Sequence, residues 1–384
     1  MQNFTEVNVT ECQAYYELNK DPSSHWVSII FFACVYTFIF IFGLLGNAAI
    51  IYLTFKYRSL QTVQNIFIIN LALADIILCL LSVSLTPVTH IFKRWYFGSF
   101  LCRIVGGIQA VAMFIHSFDL CAIAVHRYCS LVLYPNKHLT KKNAIRINYV
   151  FCLIAVALSF PYVYHMRLRN YKRQNICGEF CTEKWPSKLS KRTYSIVVLM
   201  FQAIIPFTII TVCYKALFAF LRKRSFNRME TIAQQLCVLA ATAGGETQQS
   251  EQLQNLIEQR RKVNRQKRRV TIILVSMVAI FGLSSLPHTI VALITEFDID
   301  YGLMSLPNGV DLSYLVNLFS HCMAMITVVT NPVLYAFLNP EFRELVFNSL
   351  QCLIPSIAYR QVPTTQLSAI FSWRTLDTRQ SGNK

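Results

Sequence analysis

Seven long apolar runs dominate this chain, and a few polar side chains lie stranded inside them. Hydrophobic residues make up 54% of the sequence and charged residues only 14%. A membrane-spanning helix needs about 20 mostly apolar residues, and these runs are too long and too apolar to be the alternating strands of a barrel. The sequence therefore predicts an all-α membrane protein, a seven-helix bundle with spans near residues 26–55, 63–92, 101–133, 144–166, 194–221, 270–294 and 312–338.

Asp75 and the pair Asn331-Pro332 interrupt the second and seventh runs. An acid at mid-membrane depth costs about 2.5–3.5 kcal/mol on insertion scales, so a chain retains one mostly where it faces an internal polar cavity. Buried polar groups need partners or water, and we expect Asn47, Asp75, Asn331 and Tyr335 to form a hydrated network with two alternative arrangements. The other interpretation is a purely structural hydrogen-bond cluster.

The charges of the loops orient the spans. Lys and Arg are nearly twice as frequent in the loops after the odd-numbered spans and in the tail as on the opposite side. By the positive-inside rule, the amino terminus lies outside and the carboxyl terminus lies in the cytoplasm. The basic loop 167–192 opposes this assignment, whereas the glycosylation acceptors Asn3 and Asn8 agree with it.

The chain divides into an extracellular segment 1–25, a membrane domain 26–338, a membrane-surface segment 339–354 and a disordered tail 355–384. The long basic loop 222–269 has a polar middle that we expect to be mobile, and its basic end suits anionic lipid or an acidic partner. Segment 339–354 has the capping residues and the apolar face of an amphipathic helix on the inner leaflet. Cys352 is a candidate for palmitoylation, with an unmodified thiol as the alternative.

Two functional classes suit a membrane protein with buried charge. A transporter or channel is disfavoured because the chain shows no paired repeat of broken helices, and we expect Asp75 to be the only acid within the spans. An intramembrane enzyme is disfavoured because the sequence has no HExxH or GxSxG motif and no second buried carboxylate is expected to partner Asp75. No cofactor, metal site or nucleic-acid partner is expected.

An ordered series of motifs resembles the rhodopsin-like G-protein-coupled receptors, from about residue 26 to residue 353. The series consists of Gly46-Asn47, Leu71 to Asp75, Trp95 to Gly98 with Cys102, His126-Arg127-Tyr128, Pro161, Pro206 with Tyr214, Phe281 with Pro287, and Asn331-Pro332 with Tyr335. The resemblance implies a plasma-membrane receptor that is not an enzyme. It also implies a switch network that adds His116, Phe281 and Pro332 to the four polar residues above.

The same resemblance implies how the cysteines pair and which partners bind inside the cell. Cys102 is expected to bridge Cys181, while Cys12–Cys177 is a second candidate bridge and a free Cys177 is its alternative. His126, Arg127, Tyr128 and Tyr214 are expected to contact a heterotrimeric G protein, of the inhibitory type by analogy alone. Arrestin and receptor kinases are further expected partners.

Within that class the chain resembles the neuropeptide Y, neuropeptide F and RFamide receptors. The matching residues are Gln109, the segment from Cys181 to Pro186, Glu296 and His321. The resemblance implies a short amidated peptide in the outer half of the bundle, with Glu296 meeting a ligand arginine, and predicts contacts at Gln109, Glu183, Trp185, His288, Glu296 and His321. A non-peptide ligand is the alternative, although an amine is disfavoured because Gln109 carries no charge.

Further acids lie on the predicted outer side. They would steer a basic peptide, or they are ordinary hydrated loop residues. They are Glu6, Glu11, Glu17, Asp21, Asp298, Asp300 and Asp311.

Several positions depart from the pattern of that family. His116 stands where relatives carry a small hydroxyl residue, so a His116–Asp75 interaction is expected to replace a bound sodium ion, unless His116 is an ordinary core residue. His126 replaces the acid that restrains Arg127, which predicts raised basal signalling. Ser285 replaces the usual Trp of span six, and Cys152 stands near the usual Trp of span four.

Overall fold

The computed structural model describes residues 13–14, 21–133, 139–171, 176–241, 258, 272, 275–276, 278–297, 310–338 and 340–353. Within these ranges, seven helices are long and apolar enough to cross a membrane. The prediction of an all-α bundle with seven spans is therefore confirmed. Asn3, Glu6, Asn8, Glu11, Cys12, Glu17, the loop segments 243–250 and 260–269, Asp298, Asp300 and the tail 355–384 lie outside the described residues.

Apart from α5, which extends beyond its predicted span at both ends, the helices begin and end near the predicted positions. They are α1 Trp26–Lys56, α2 Val63–Phe92, α3 Gly98–Leu133, α4 Lys141–His165, α5 from Lys188–Leu199 through a π turn at Met200–Ile204 to Ile205–Ala241, α6 Val278–Phe297, α7 Ser313–Leu338 and α8 Pro340–Leu353. Side-chain caps fix several starts: Thr62 accepts from Asn65 N at α2, and Thr140 accepts from Asn143 N at α4. Because α5 continues to Ala241, the first part of the predicted loop 222–269 is helical.

The helices pack closely because small residues face bulky ones. A Cβ atom placed on Gly46 of α1 would lie 2.8 Å from Cγ of Pro332 in α7. Only a glycine therefore lets α1 approach α7 at this level. At the end of α7, the rings of Tyr335 and Phe342 pack edge to face with centroids 4.7 Å apart, which seats the predicted amphipathic helix α8 against the bundle.

A β-hairpin and a disulfide define one end of the bundle, called here the hairpin end. Strand β2 (Met166–Asn170) pairs antiparallel with β4 (Glu179–Glu183), and a disulfide joins Cys102 at the start of α3 to Cys181 in β4. The expected Cys102–Cys181 bridge is confirmed. The opposite end, where α3 finishes, is called the Arg127 end.

The segment before α1 also attaches to the hairpin end. Strand β1 (Gln13–Ala14) pairs parallel with β3 (Ile176–Cys177), and Cys177 is disulfide-bonded. A free Cys177 is therefore wrong. In the pairing of β1 with β3, Gln13 and Ala14 lie opposite Ile176 and Cys177. Cys12, which precedes Gln13, lies outside the described residues, so the Cys12–Cys177 bridge stays a prediction.

Candidate functional site

A cavity of about 690 Å³ opens at the hairpin end, between α2, α3, α5, α6, α7 and strand β4. Its size and its mixture of apolar walls and convergent polar groups suit a ligand. Of the six predicted ligand contacts, five line it: Gln109, Glu183, His288, Glu296 and His321. Trp185 is not among the lining residues. Its ring lies behind Glu183, where its Nε1 donates to Oε2 of Glu183 over 2.7 Å.

Gln109 and His321, in the cavity wall, belong to a chain of hydrogen bonds that joins four helices. His321 Nδ1 lies 2.8 Å from the hydroxyl of Tyr36, and its Nε2 lies 2.9 Å from Oγ of Ser82. Ser82 in turn donates to Oε1 of Gln109 over 2.9 Å. If Ser82 donates to Gln109, His321 Nε2 must carry the proton that Ser82 accepts. This arrangement leaves the amide nitrogen of Gln109 to donate to a ligand carbonyl.

The predicted acidic contact is already paired within the protein. Nζ of Lys191, in the first turn of α5, lies 2.7 Å from Oε2 of Glu296 at the end of α6. The same ammonium lies 3.7 Å from Oε2 of Glu183 in β4. Sequence reasoning missed Lys191 because nothing in the spacing of residues 191 and 296 indicates that the two helix ends meet.

Asp21 and Lys93 form a buried ion pair at the rim of this cavity. Nζ of Lys93 lies 3.3 Å from Oδ2 of Asp21, and both side chains are fully buried. The ammonium also lies 5.3 Å from the ring centroid of Tyr314. Asp21 is thus engaged by Lys93, which contradicts its place among the acids that would steer a ligand. Asp311 likewise accepts from Ser313 N over 2.9 Å, at the start of α7.

Asp75 lies in the centre of the bundle, between α3 and α7. Its Oδ1 lies 2.9 Å from Nε2 of His116, and its Oδ2 accepts from Nδ2 of Asn331 over 3.2 Å. The His116 contact has the distance of an ion pair but not the alignment of a hydrogen bond. All three side chains are buried, so the imidazole occupies space beside the carboxylate that an ion would otherwise need.

His116 also contacts the aromatic side chain of α6. Its ring stacks on Phe281 with centroids 5.7 Å apart and planes 9° apart, and Phe281 stacks on Phe207 of α5. His116 therefore contacts both Asp75 of α2 and Phe281 of α6. Ser285, in place of the usual Trp, donates to the carbonyl of Phe281 over 2.7 Å and so is satisfied within its own helix.

Three members of the predicted network have other partners. Asn47 donates to the carbonyls of Gly43 and Val328, at 2.8 and 2.9 Å, and thereby fastens α1 to α7. Tyr335 packs against Phe342, and Pro332 packs against Gly46. The structure thus brings Asp75, His116, Asn331 and Phe281 together, and places Asn47, Pro332 and Tyr335 beside them as packing and fastening residues.

The expectation that Asp75 is the only acid within the spans is wrong. Asp119, in the middle of α3, is fully buried and accepts from Nδ2 of Asn70 over 2.8 Å. Sγ of Cys152 in α4 lies 4.0 Å from Oδ1 of Asn70. Asp119 lies within the third apolar run, so the sequence itself indicates a second buried acid, which the prediction omitted.

At the other end of α3, Arg127 donates to the side-chain amide of Gln64. Among the residues that the structure describes, no carboxylate pairs with Arg127. Tyr214 of α5 is buried in an apolar cluster against which Tyr128 packs. His126, which replaces the usual acid, is half-buried beside Arg127. The partner of Arg127 is therefore neutral.

Comparison with known proteins decides the family. The family model of the 7 transmembrane receptors (rhodopsin family) matches residues 46–335, which is most of the chain. The chain is a receptor of this rhodopsin family. The receptor is therefore not an enzyme, and its multi-pass membrane character is shown both by its family and by its seven spans.

Its relatives include several receptors with peptide names. The receptor is 38% identical to the neuropeptide receptor npr-1 of Caenorhabditis elegans, over 89% of this chain and 77% of that protein. It is 28% identical to the neuropeptide Y receptor type 6 of Mus musculus, over 91% of this chain and 88% of that protein. It is also 28% identical to the neuropeptide F receptor of Drosophila melanogaster, over 87% of this chain and 64% of that protein.

Proposed function

We propose that the receptor lies in the plasma membrane with its hairpin end outside, binds a short, basic, amidated neuropeptide in the cavity, and activates a heterotrimeric G protein. The names of its relatives and the resemblance of its motifs support this function. The observation that carries the peptide assignment is the nearly buried Glu296 at the cavity wall, 9% exposed at its side chain, which already holds the cationic group of Lys191 and would pair with a ligand cation in the same way.

The cavity offers different chemistry at its two depths. Near its mouth, Glu183 and Glu296 provide negative charge for a basic side chain. At its floor, the uncharged side-chain amide of Gln109 accepts from Ser82, and its nitrogen can donate to a ligand, which suits a neutral terminal amide. A basic peptide with an amidated end therefore fits the cavity better than an amine or an acidic ligand does.

Signal transfer requires that α6 is linked to the polar centre of the bundle. His116 provides this link, because it touches Asp75 of α2 and stacks on Phe281 of α6. A peptide with higher affinity for the arrangement in which α6 moves outward would shift the population toward it. In that state the G protein would reach Arg127, Tyr128 and Tyr214. An inhibitory G protein, arrestin and receptor kinases are the proposed partners.

The test of this function is a screen of amidated peptides with G-protein activation as the readout, on the wild type and on Glu296→Gln. The exposed Glu179, in the same hairpin, gives the matched control Glu179→Gln. We expect Glu296→Gln to raise the half-maximal concentration of an Arg-containing peptide by at least about tenfold, because a charge-assisted contact is lost. An equal response of wild type and Glu296→Gln would contradict the assignment, and a ligand-independent ion current would favour a channel.

Orientation is tested separately with epitope tags at the two termini of intact cells. The amino-terminal tag should bind antibody without permeabilisation, and the carboxyl-terminal tag should not. Access to both tags, or to neither, would overturn the proposed orientation. Enzymatic removal of N-linked glycans and labelling of palmitoylated thiols test the proposed modifications at Asn3, Asn8 and Cys352.

A further inference from the structure

Lys191 lies between two carboxylates that reach it from separate elements. Its Nζ is 2.7 Å from Glu296 Oε2 on α6 and 3.7 Å from Glu183 Oε2 on β4, and all three residues line the cavity. Within this cluster two acids face one cation, so one negative charge remains in excess. The cluster thus retains attraction for a cation even while Lys191 is in place.

The two acids are held to different degrees. The side chain of Glu296 is 9% exposed, whereas those of Glu183 and Lys191 are 29% and 34% exposed. Glu183 Oε2 also accepts from Trp185 Nε1 over 2.7 Å, which fixes its position. An ion pair gains strength as water is excluded. The Lys191 ammonium therefore prefers Glu296 and has Glu183 within reach as a second partner.

We infer that Lys191 is a specificity-determining residue, which occupies the place at Glu296 that a cationic group of the ligand would take. This inference rests on the proposed binding of a basic peptide. The ligand cation must displace the ammonium from Glu296, and the displaced Lys191 moves to Glu183. No charge is left without a partner during this exchange.

The exchange selects for arginine in the ligand over lysine. A ligand ammonium replaces the Lys191 ammonium by an equivalent group and gains little at Glu296. A guanidinium presents a planar fork that donates two parallel hydrogen bonds to one carboxylate, which an ammonium does not match. Competition from Lys191 therefore cancels most of the binding free energy that a ligand lysine gains at Glu296, but only part of the binding free energy that a ligand arginine gains there.

The experiment compares the amidated tetrapeptide Ala-Leu-Arg-Phe-amide with copies that carry lysine or citrulline in place of arginine. G-protein activation is measured on wild type, Lys191→Met, Glu296→Gln and the double variant, at matched surface expression. The control is Lys188→Met, because Lys188 lies one turn earlier on α5 and is exposed. Lys191 is itself one-third exposed, so its replacement by Met is not expected to prevent folding.

We expect Lys191→Met to lower the half-maximal concentration of the lysine peptide by about tenfold and that of the arginine peptide by less, so that discrimination between them shrinks. The half-maximal concentration of the citrulline peptide should be the same on wild type and Lys191→Met. In the Glu296→Gln background, Lys191→Met should no longer lower the half-maximal concentration of the lysine peptide. Lys188→Met should leave the ratio between the peptides unchanged.

Each other result overturns a definite part of the inference. An unchanged ratio in Lys191→Met, a weaker response to either peptide, or a gain that persists in the double variant would overturn the role of Lys191 while leaving peptide binding intact. Activation by the arginine peptide that does not depend on Glu296 would overturn the acidic contact itself. A wild-type receptor that responds to none of the three peptides would overturn the proposed function.

Discussion

Nε2 of His116 lies 2.9 Å from Oδ1 of Asp75, and both side chains are fully shielded from solvent in the centre of the bundle. The imidazole fills the side of the carboxylate that a sodium ion would approach, and Asn331 occupies the other oxygen. The imidazole thus occupies the space in which a cation would have to approach Asp75. This pair leads to the first prediction.

We predict that agonist binding by the wild type does not depend on sodium, and that His116→Ser acquires such dependence. The measurement is agonist displacement in sodium chloride and in N-methyl-D-glucamine chloride of equal ionic strength. The control is His165→Ser, since His165 lies at the hairpin end, away from Asp75. Strong sodium dependence of the wild type would contradict the replacement of the ion by His116.

A second prediction concerns the restraint on Arg127. His126→Asp and Gln64→Glu should each lower basal signalling, because a carboxylate beside Arg127 holds the guanidinium more tightly than the neutral amide of Gln64 does.

The readout is G-protein activation without ligand, normalised to surface expression. His126→Asn is the control for size without charge and should leave basal signalling unchanged. The idea of a weak restraint would fail if neither acid altered the basal level.

A third prediction separates the two buried acids. Asp119→Asn should fold as well as wild type, because the amide has nearly the same size and its oxygen still accepts from Asn70. Asp119→Leu should destabilise the receptor by about 1–3 kcal/mol, because the amide of Asn70 then lacks an acceptor. Thermal unfolding of the purified receptor measures both.

Asp75→Asn should behave differently, with normal surface expression but reduced agonist response, because the partner of His116 loses its charge. If Asp119→Asn impaired signalling as much as Asp75→Asn, the two acids would share one role and this distinction would be wrong.

A fourth prediction concerns the Cys102–Cys181 bridge, which closes a loop of 79 residues. Removal of a bridge of this kind typically costs about 2–5 kcal/mol. Cys102→Ser should therefore reduce surface expression and widen the cavity mouth, with loss of peptide response. Cys34→Ser, at an exposed free cysteine, should have no effect. Peptide mapping without reduction should recover the Cys102–Cys181 peptide.

A fifth prediction concerns Asp21 and Lys93. Asp21→Asn or Lys93→Met alone should destabilise the hairpin end by about 3–5 kcal/mol, because each leaves a buried charge without its partner. The double variant should recover most of this loss, and thermal unfolding of the four proteins gives the coupling energy. Additive losses in the double variant would contradict the buried pair.

The parts that the sequence made predictable share a physical cause. The seven spans follow from uninterrupted apolar stretches, and Thr62 and Thr140 mark helix starts through local hydrogen bonds. The likeness of motifs predicted ligand contacts at Gln109, Glu296 and His321. All three residues line one cavity, and their contact with a ligand stays a prediction.

The parts that escaped prediction depend on contacts between distant segments. Lys191 meets Glu296, and Asp21 meets Lys93, only because the packing of helix ends brings them together, and no local spacing carries that information. Asp119 escaped for another reason, since its carboxylate was visible in the sequence of α3. The continuation of α5 to Ala241 also went unpredicted, because the apolar signal ends with the membrane although the helix does not.

The burial of Asp21 against Lys93 also constrains which substitutions this receptor can accept during evolution. A lineage that alters either residue alone passes through a protein with an orphan charge in an apolar site, and selection removes such intermediates. Substitutions at positions 21 and 93 should consequently arise together, or not at all. The few residues before the first helix, which a comparison of sequences would treat as freely variable, would then evolve in step with the membrane domain.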